Sequence, residues 1–133
     1  MSKPYHHAVS SARRFGGVPE DYLAVHEFLD SSKAAFPDNR HRALTHTSWF
    51  VTTVLPRVFG VTIRNAEGEE IPVRSVGEQH VLEDFGGYIP SVQDYLAAVP
   101  HAAWMDGHGV PPSRRHAQPP TTTTVIPLDP DAP

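Results

Sequence analysis

Proline placement limits how much of this chain can form a compact core. Eight of its 14 prolines fall in the last 34 residues, which also contain four consecutive threonines at 121–124. Proline lacks an amide hydrogen and fixes its own backbone angle, so such a segment suits neither a continuous helix nor the interior of a sheet. We therefore expect a folded domain over residues 1–99, followed by an extended Pro/Thr-rich tail over residues 100–133.

The length and charge of the domain narrow the class of protein. About 100 residues suffice for one modest hydrophobic core. The net charge is −4, from 11 basic and 15 acidic residues that are mixed along the chain, which argues against a nucleic-acid partner. The opening MSKPYHH lacks the apolar stretch of a secretory signal, and no apolar run approaches membrane length. We expect a cytoplasmic protein without a membrane partner.

The spacing of apolar residues predicts an α+β domain that is mostly helical, with two main helices. The first helix begins near residues 18–21, where proline and two acids precede a helical pattern. Residues at helical spacing form its inner face: Tyr22, Val25, His26 and Leu29. The second helix is expected over residues 39–55, with Asp38 as its N-cap and Pro56 near its end. Its apolar face surrounds His46 and consists of Ala43, Phe50, Val54 and Val58. Leu44, Val51 and Leu55 widen this face and suggest burial on two sides.

A small β-hairpin and two short helices are expected to follow. Apolar residues alternate with polar ones on both sides of a turn at residues 65–68, and Pro72 restricts the second strand to a sheet edge. A short helix over residues 77–84 should end at the glycine pair 86–87. The last helix should open with a capping box at residues 91–94.

Histidine is the most unusual component of the composition. The chain has nine histidines and no cysteine. Six of them lie in the first 80 residues: His6, His7, His26, His41, His46 and His80. Neutral imidazole is the commonest nitrogen ligand of metals, and without cysteine a thiolate site is excluded. The composition therefore favours a divalent-metal site built from nitrogen and oxygen ligands, with zinc as the first candidate.

Three histidines are predicted to be metal ligands because of where they lie in the helical pattern. His26 and His46 fall on the apolar faces of their helices, so both should point inward. His80, from the short helix, can complete a set of three. Three protein ligands and an open position are the arrangement in which zinc activates water. The alternative for each of them is a core histidine that is bonded to a carbonyl group.

Two further residues are assigned beside this set. His6 and His7 are expected in an extended segment before the first helix, where neighbours face opposite ways, so one at most can join the site. We assign His7 as the possible fourth ligand; a flexible histidine pair is the alternative. Glu83 follows His80 by three residues and is predicted to act as a general base or to orient that histidine. Otherwise it is a solvated acid.

Residues 40–42 read Arg-His-Arg and resemble an anion clamp near a helix start. In a continuous helix His41 and His46 would lie roughly 140° apart around the axis, so they should not share one ion. His41 is therefore predicted to contact substrate or to transfer a proton. The alternative is that Arg40 and Arg42 are surface residues paired with nearby acids.

Four stretches in order along the chain carry a resemblance to a known family: YHHAVSSARRFGG, EDYLAVHEFLDSSK, DNRHRALTH and VGEQHVLEDFGGYIPSVQDYL. Over residues 4–99 the chain resembles a family of short uncharacterised bacterial and phage proteins, the domain of unknown function DUF6915. The resemblance implies no activity, and it implies that the tail is an addition. The related pattern often has a doubled histidine after RHRAL, where this chain has Thr45-His46-Thr47 and so keeps only one.

Two functions follow as hypotheses. The first is a small metal-dependent hydrolase. The second is a non-enzymatic assembly or accessory subunit, for example of a phage particle, in which the histidines are structural. In either case residues 101–133 are expected to dock on another copy of the chain or on another protein. Residues 121–126 have the β-propensity to extend a neighbour's sheet, and the apolar anchors of the tail would be Trp104, Met105, Val125, Ile126 and Leu128.

Overall fold

The computed structural model describes residues 3–109. Internal contacts divide the chain into the units Met1–Ala98 and Val99–Pro133. The predicted class, α+β and mostly helical, is confirmed for the described residues of the first unit. Its elements are α1 (Pro4–Phe15), α2 (Leu23–Asp30), α3 (Arg42–Thr45), α4 (Leu55–Phe59), β1 (Thr62–Arg64), β2 (Glu70–Pro72), α5 (Val73–Phe85) and α6 (Val92–Leu96).

The first helix, α1, corrects the prediction of an extended N-terminal segment. Pro4 occupies the first turn of α1, where a missing amide hydrogen costs nothing, and two arginines favour its C-terminal end. Gly16, with φ of +86°, ends the helix. In a helix His6 and His7 still diverge: His6 is exposed, whereas His7 is 1% exposed and shares the buried face with Ala8 and Ser11.

The expected inner face of the next helix is confirmed. A 3-10 turn at Pro19–Asp21 leads into α2, and the four residues predicted to face inward are at most 1% exposed. Helices α1, α2 and α5 pack against one another. The apolar core is formed by residues from these helices, from a π-helical turn at Phe50–Val54 and from α4, with β2 at one edge.

The prediction of one long helix over residues 39–55 is wrong. The chain there forms a 3-10 turn (Asn39–His41), the short α3, a break at His46, a π-helical turn (Phe50–Val54) and then α4. Pro56 lies in the first turn of α4 instead of ending a helix. Val51 and Leu55 are buried as expected, whereas Ala43, Leu44 and Val58 are exposed. The break and the wide π turn shift the helical phase between them.

The later elements are confirmed. Strands β1 and β2 form an antiparallel pair within residues 3–109, with Pro72 opposite Thr62 at its end. Helix α5 is longer than expected and ends at Gly86, whose φ is +66°. Ser91 caps α6 through a capping box with Asp94.

The second unit is described as far as residue 109. Trp104 and Met105 lie in a 3-10 turn at Ala103–Asp106. The other predicted anchors of the tail, in residues 121–128, lie outside the described residues. Among the described residues, no helix is long and apolar enough to cross a membrane.

Candidate metal centre

Two aspartates come from helices that also carry a predicted histidine ligand. Helix α2 carries His26 and Asp30, and α5 carries His80 and Asp84. In each pair the residues are four apart and lie on the same side of the helix. Because α2 and α5 pack directly together, these faces meet. Sequence analysis did not assign either aspartate as a ligand, although the repeated His-x-x-x-Asp spacing was a usable signal.

His46 reaches the same point from the break that follows α3. Its φ of −100° and ψ of 61° end the helix there. The Nδ1 atom of His46 lies 2.8 Å from Thr45 Oγ1, and that hydroxyl donates to the Leu29 carbonyl over 2.8 Å. The other ring nitrogen, Nε2, lies 2.9 Å from Asp84 Oδ2.

Four donor atoms converge as a result, and we call them the His/Asp centre: Nε2 of His46 and His80, and one carboxylate oxygen each of Asp30 and Asp84. His80 Nε2 is 3.2 Å from Asp84 Oδ2 and 3.3 Å from Asp30 Oδ1. His46 Nε2 is 3.8 Å from the same Asp30 oxygen, and all four atoms lie within 4.8 Å of one another. Tetrahedral zinc ligands at roughly 2.0–2.2 Å from the ion are separated by about 3.3–3.6 Å. The separations here, from 2.9 Å up to at most 4.8 Å, bracket that value.

The His/Asp centre is enclosed and incompletely hydrogen-bonded. Both histidines are 0% exposed, and the side chains of Asp30 and Asp84 are 6% and 3% exposed. Among the described residues, His80 Nε2 and both Asp30 oxygens form no hydrogen bond. A buried polar atom without a partner costs about 1–3 kcal/mol, more for a charged one. A cation held between these atoms would satisfy them, so the residues fit a divalent metal.

Both carboxylates favour the ionised form. Burial would raise the pKa of Asp84, but the ring nitrogens of His46, His7 and His80 that face its two oxygens hold it far below its usual range. Burial would also raise the pKa of Asp30, yet the facing His80 and the nearby Lys33 keep it low. Burial lowers the pKa of His46, although the bond to Asp84 opposes this. Ionised carboxylates beside neutral imidazole are the forms in which these groups bind metals.

The second oxygen of Asp84 faces a different group of residues. His7 Nε2 lies 3.2 Å from Asp84 Oδ1, and His7 Nδ1 lies 2.7 Å from Glu83 Oε1. Burial opposes protonation of His7, but the bonds to Asp84 and Glu83 raise its pKa overall. Arg42 also approaches Asp84 Oδ1, at 3.7 Å. The structure thus places Glu83 beside His7 and not beside His80, and the roles assigned to His7 and Glu83 stay predictions.

His26 and His41 lie behind the two histidines of the His/Asp centre. His26 Nδ1 is 2.9 Å from His80 Nδ1, so His26 contacts a predicted ligand from the side away from the carboxylates. His41 is fully buried, with Nδ1 2.6 Å from Ser32 Oγ and its ring centroid 5.4 Å from that of His46. The helix that was to separate His41 from His46 is broken, so that argument fails, and the functions predicted for His26 and His41 stay predictions.

The two arginines of the predicted anion clamp have different partners. Arg40 is exposed and pairs with Asp38 over 2.7 Å. Arg42 is largely buried and faces Asp84. Arg40 therefore follows the alternative of a paired surface residue, and Arg42 instead contributes positive charge next to the His/Asp centre.

Comparison with known proteins places the chain in a family without giving it an activity. No curated protein and no solved structure matches the chain. A family model described as a domain of unknown function, DUF6915, matches residues 2–105. This span includes every residue of the His/Asp centre and its neighbours, and it extends beyond the resemblance expected over residues 4–99. The chain therefore belongs to the DUF6915 family.

Proposed function

We propose that the chain binds one divalent metal ion at the His/Asp centre and uses it in a hydrolytic reaction. The observation that carries the proposal is the convergence of four donor atoms within 4.8 Å on enclosed residues. Three buried atoms there, His80 Nε2 and both Asp30 oxygens, form no hydrogen bond among the described residues. Such groups are kept in a folded protein when a bound ion or another partner satisfies them.

The donor set favours zinc among the common divalent ions. Two imidazole nitrogens and two carboxylate oxygens suit zinc, and also manganese or ferrous iron. Calcium and magnesium are held by oxygen ligands, so two histidines disfavour them. The full sequence has no cysteine to supply a thiolate.

Hydrolysis needs one ligand position for water or substrate, and Asp30 is the residue best placed to leave it. Its Oδ1 lies 3.8 Å from His46 Nε2, compared with 2.9 Å for Asp84 Oδ2. A divalent ion in such a site supplies Lewis acidity, which makes water a nucleophile at neutral pH. Asp30 would then accept the proton of the attacking water, while His46, His80 and Asp84 hold the ion.

The proposal is tested with tag-free protein and two matched variants, Asp84→Asn and Glu83→Gln. Elemental analysis should find one zinc per chain in the parent and in Glu83→Gln, because Glu83 contacts His7 and not the His/Asp centre. Asp84→Asn should weaken zinc binding by more than about 100-fold. Changing a residue that only contacts a ligand usually costs roughly 10–100-fold in metal affinity, and loss of the ligand itself should cost more. A parent protein that takes up no zinc would sink the proposal.

The burial of the His/Asp centre supports a second candidate. Structural zinc sites are closed by four protein ligands, whereas catalytic sites keep one position open. If all four residues bind at once, the ion stabilises the fold, and the chain is a non-enzymatic assembly or accessory subunit. Hydrolysis of chromogenic phosphate or carboxylic esters that EDTA abolishes and zinc restores would favour the enzyme. A zinc-loaded protein that is inert toward all of them would favour the accessory role.

A further inference from the structure

A chain of buried hydrogen bonds leads from the protein backbone to His80. Its first member is Gln79, whose Nε2 donates to the His7 carbonyl over 3.1 Å. Because a carbonyl oxygen only accepts, the nitrogen of the Gln79 amide must be on that side. The oxygen, Oε1, therefore faces the Ser11 hydroxyl, with which it forms a hydrogen bond.

The Ser11 hydroxyl fixes the protonation of His26. Two of its partners, Gln79 Oε1 and the His7 carbonyl, are acceptors, so its single hydrogen is used there. Its third partner, His26 Nε2 at 2.7 Å, must then be the donor. A neutral ring that is protonated at Nε2 has a lone pair at Nδ1.

The lone pair on His26 Nδ1 in turn determines which nitrogen of His80 carries the hydrogen. The two Nδ1 atoms of His26 and His80 are 2.9 Å apart, and one hydrogen must lie between them. Since His26 accepts, His80 Nδ1 donates. The remaining nitrogen, His80 Nε2, is the one that faces Asp30 and Asp84. We call Gln79, Ser11 and His26 the Gln79 relay.

A shorter connection fixes the tautomer of the other histidine of the centre, His46, in the same way. Thr45 Oγ1 donates to the Leu29 carbonyl, so it can only accept from His46 Nδ1. His46 Nε2 is thereby left to face Asp84. Two separate connections, each ending at a backbone carbonyl, therefore aim the same ring nitrogen of two histidines at the same carboxylate oxygen.

We propose that the Gln79 relay and Thr45 are positioning elements that reserve Nε2 of His80 and His46 for one cation and so determine the affinity of the His/Asp centre. This inference rests on the proposed function, because it assumes that a metal ion is the cation. Hydrogen bonds to the second nitrogen of a ligand histidine fix its tautomer and ring orientation. Both connections end at backbone carbonyls of the fold, so they hold the two rings independently of the carboxylates of the centre.

Matched substitutions separate the hydrogen bonds from simple packing. His26→Leu removes the acceptor for His80 and should weaken zinc binding by roughly 10–100-fold, whereas His26→Asn keeps an amide oxygen near the position of Nδ1 and should restore most of the affinity. Thr45→Val removes the hydroxyl with little change of shape and should weaken binding in the same way. Thr45→Ser keeps the hydroxyl and should bind close to the parent. Affinities are measured by competition with a chromogenic zinc chelator.

A spectroscopic measurement on the parent protein does not depend on whether a variant folds. In zinc-loaded protein labelled with nitrogen-15 in histidine, two-bond nitrogen–proton spectra should show His80 and His46 protonated at Nδ1 and metal-bound at Nε2. Binding through Nδ1 of either histidine, or zinc affinity unchanged in both His26→Leu and Thr45→Val, overturns the positioning role while leaving the proposed function intact. A parent that binds no zinc overturns both.

Discussion

Asp84 is the residue shared by the two groups of side chains around the centre. Its Oδ2 faces the histidines that we propose as ligands, and its Oδ1 faces His7 and Arg42. One carboxylate therefore connects the proposed ion to a partly exposed carboxylate, Glu83, through His7. At the residue scale this favours the ionised form of a buried acid: His7, whose pKa is raised, and the Arg42 guanidinium lie beside Oδ1, while Oδ2 is available to the ion.

The buried histidines predict how stability responds to acid. Burial lowers the pKa of three of them in the fold: His26, His41 and His46. In the unfolded chain histidine titrates near 6.5, so below that pH unfolding takes up protons that the fold excludes. The pKa of His7 is raised in the fold, so this one histidine favours the folded state on acidification and offsets part of the effect. For the metal-free protein, the free energy of unfolding should therefore fall by roughly 1–3 kcal/mol per pH unit below 6.5, the slope for one to two protons.

Urea unfolding in EDTA at pH 7.5, 6.5 and 5.5 measures this slope. His41→Gln removes one of the buried groups and should make the slope shallower, whereas His6→Gln, at an exposed position, should leave it unchanged. Stability that is constant or rises on acidification from pH 6.5 would show that the buried histidines do not remain neutral in the fold.

At the scale of elements, His80 is positioned by the close packing of its helix, α5, against the π turn and α4. Gly77 is buried in α5, and an added Cβ would meet Leu55 Cδ1 and come within 3.0 Å of Val51 Cγ1. Glycine in the middle of a helix is otherwise unfavourable by roughly 0.5–1 kcal/mol relative to alanine. Its position here is explained by the contact between the two segments and not by helix propensity.

Gly77→Ala should therefore destabilise the domain although alanine is the better helix former. Overpacking of this kind costs roughly 1–3 kcal/mol, and the displacement of α5 should also weaken zinc binding because the same helix carries His80 and Asp84. Ser75→Ala, a partly exposed position of the same helix, is the matched control and should be nearly neutral. If Gly77→Ala were as stable as the parent, the close packing described for α5 would be incorrect.

The elements that sequence predicted are those with local causes. The inner face of α2 and the Ser91 cap of α6 depend on residues within one or two turns, and both are confirmed. The residue before the break at His46, Thr45, forms a hydrogen bond to the carbonyl of Leu29, 16 residues away, and no local pattern reveals such a contact. Asp30 was missed for a similar reason. An aspartate at the end of a helix is usually solvated, and packing against α5 is what buries this one.

At the scale of the whole molecule, the His/Asp centre joins parts of the chain that are distant in sequence. Its atoms come from α2, the break after α3, and α5, and His7 of α1 lies against it. An ion bound there would stabilise the folded state alone, by about 2.7 kcal/mol at a free concentration 100 times its dissociation constant. Metal binding and folding should then be coupled across the unit Met1–Ala98.

The proposed docking of the tail is also a property of the whole molecule. Deleting residues 110–133 keeps the complete family match over residues 2–105 and removes the anchors Val125, Ile126 and Leu128. If the tail docks on another copy or on another protein, the shortened chain should have a lower mass in solution or lose a co-purifying partner. Light scattering and pull-down from the source cell measure this. Docking through residues 110–133 is wrong if the oligomeric state and the partners are both unchanged.

The ligand set of the bound ion tests the central claim most directly, and X-ray absorption at the zinc edge reads it from the metal. For the protein loaded with one equivalent of zinc, the account predicts two imidazole nitrogens and one or two carboxylate oxygens in the first shell at about 2.0–2.2 Å. His26→Asn should leave that shell unchanged, because His26 contacts His80 and not the ion. A shell with three or more imidazoles, or one of oxygen alone, would contradict the His/Asp centre as described.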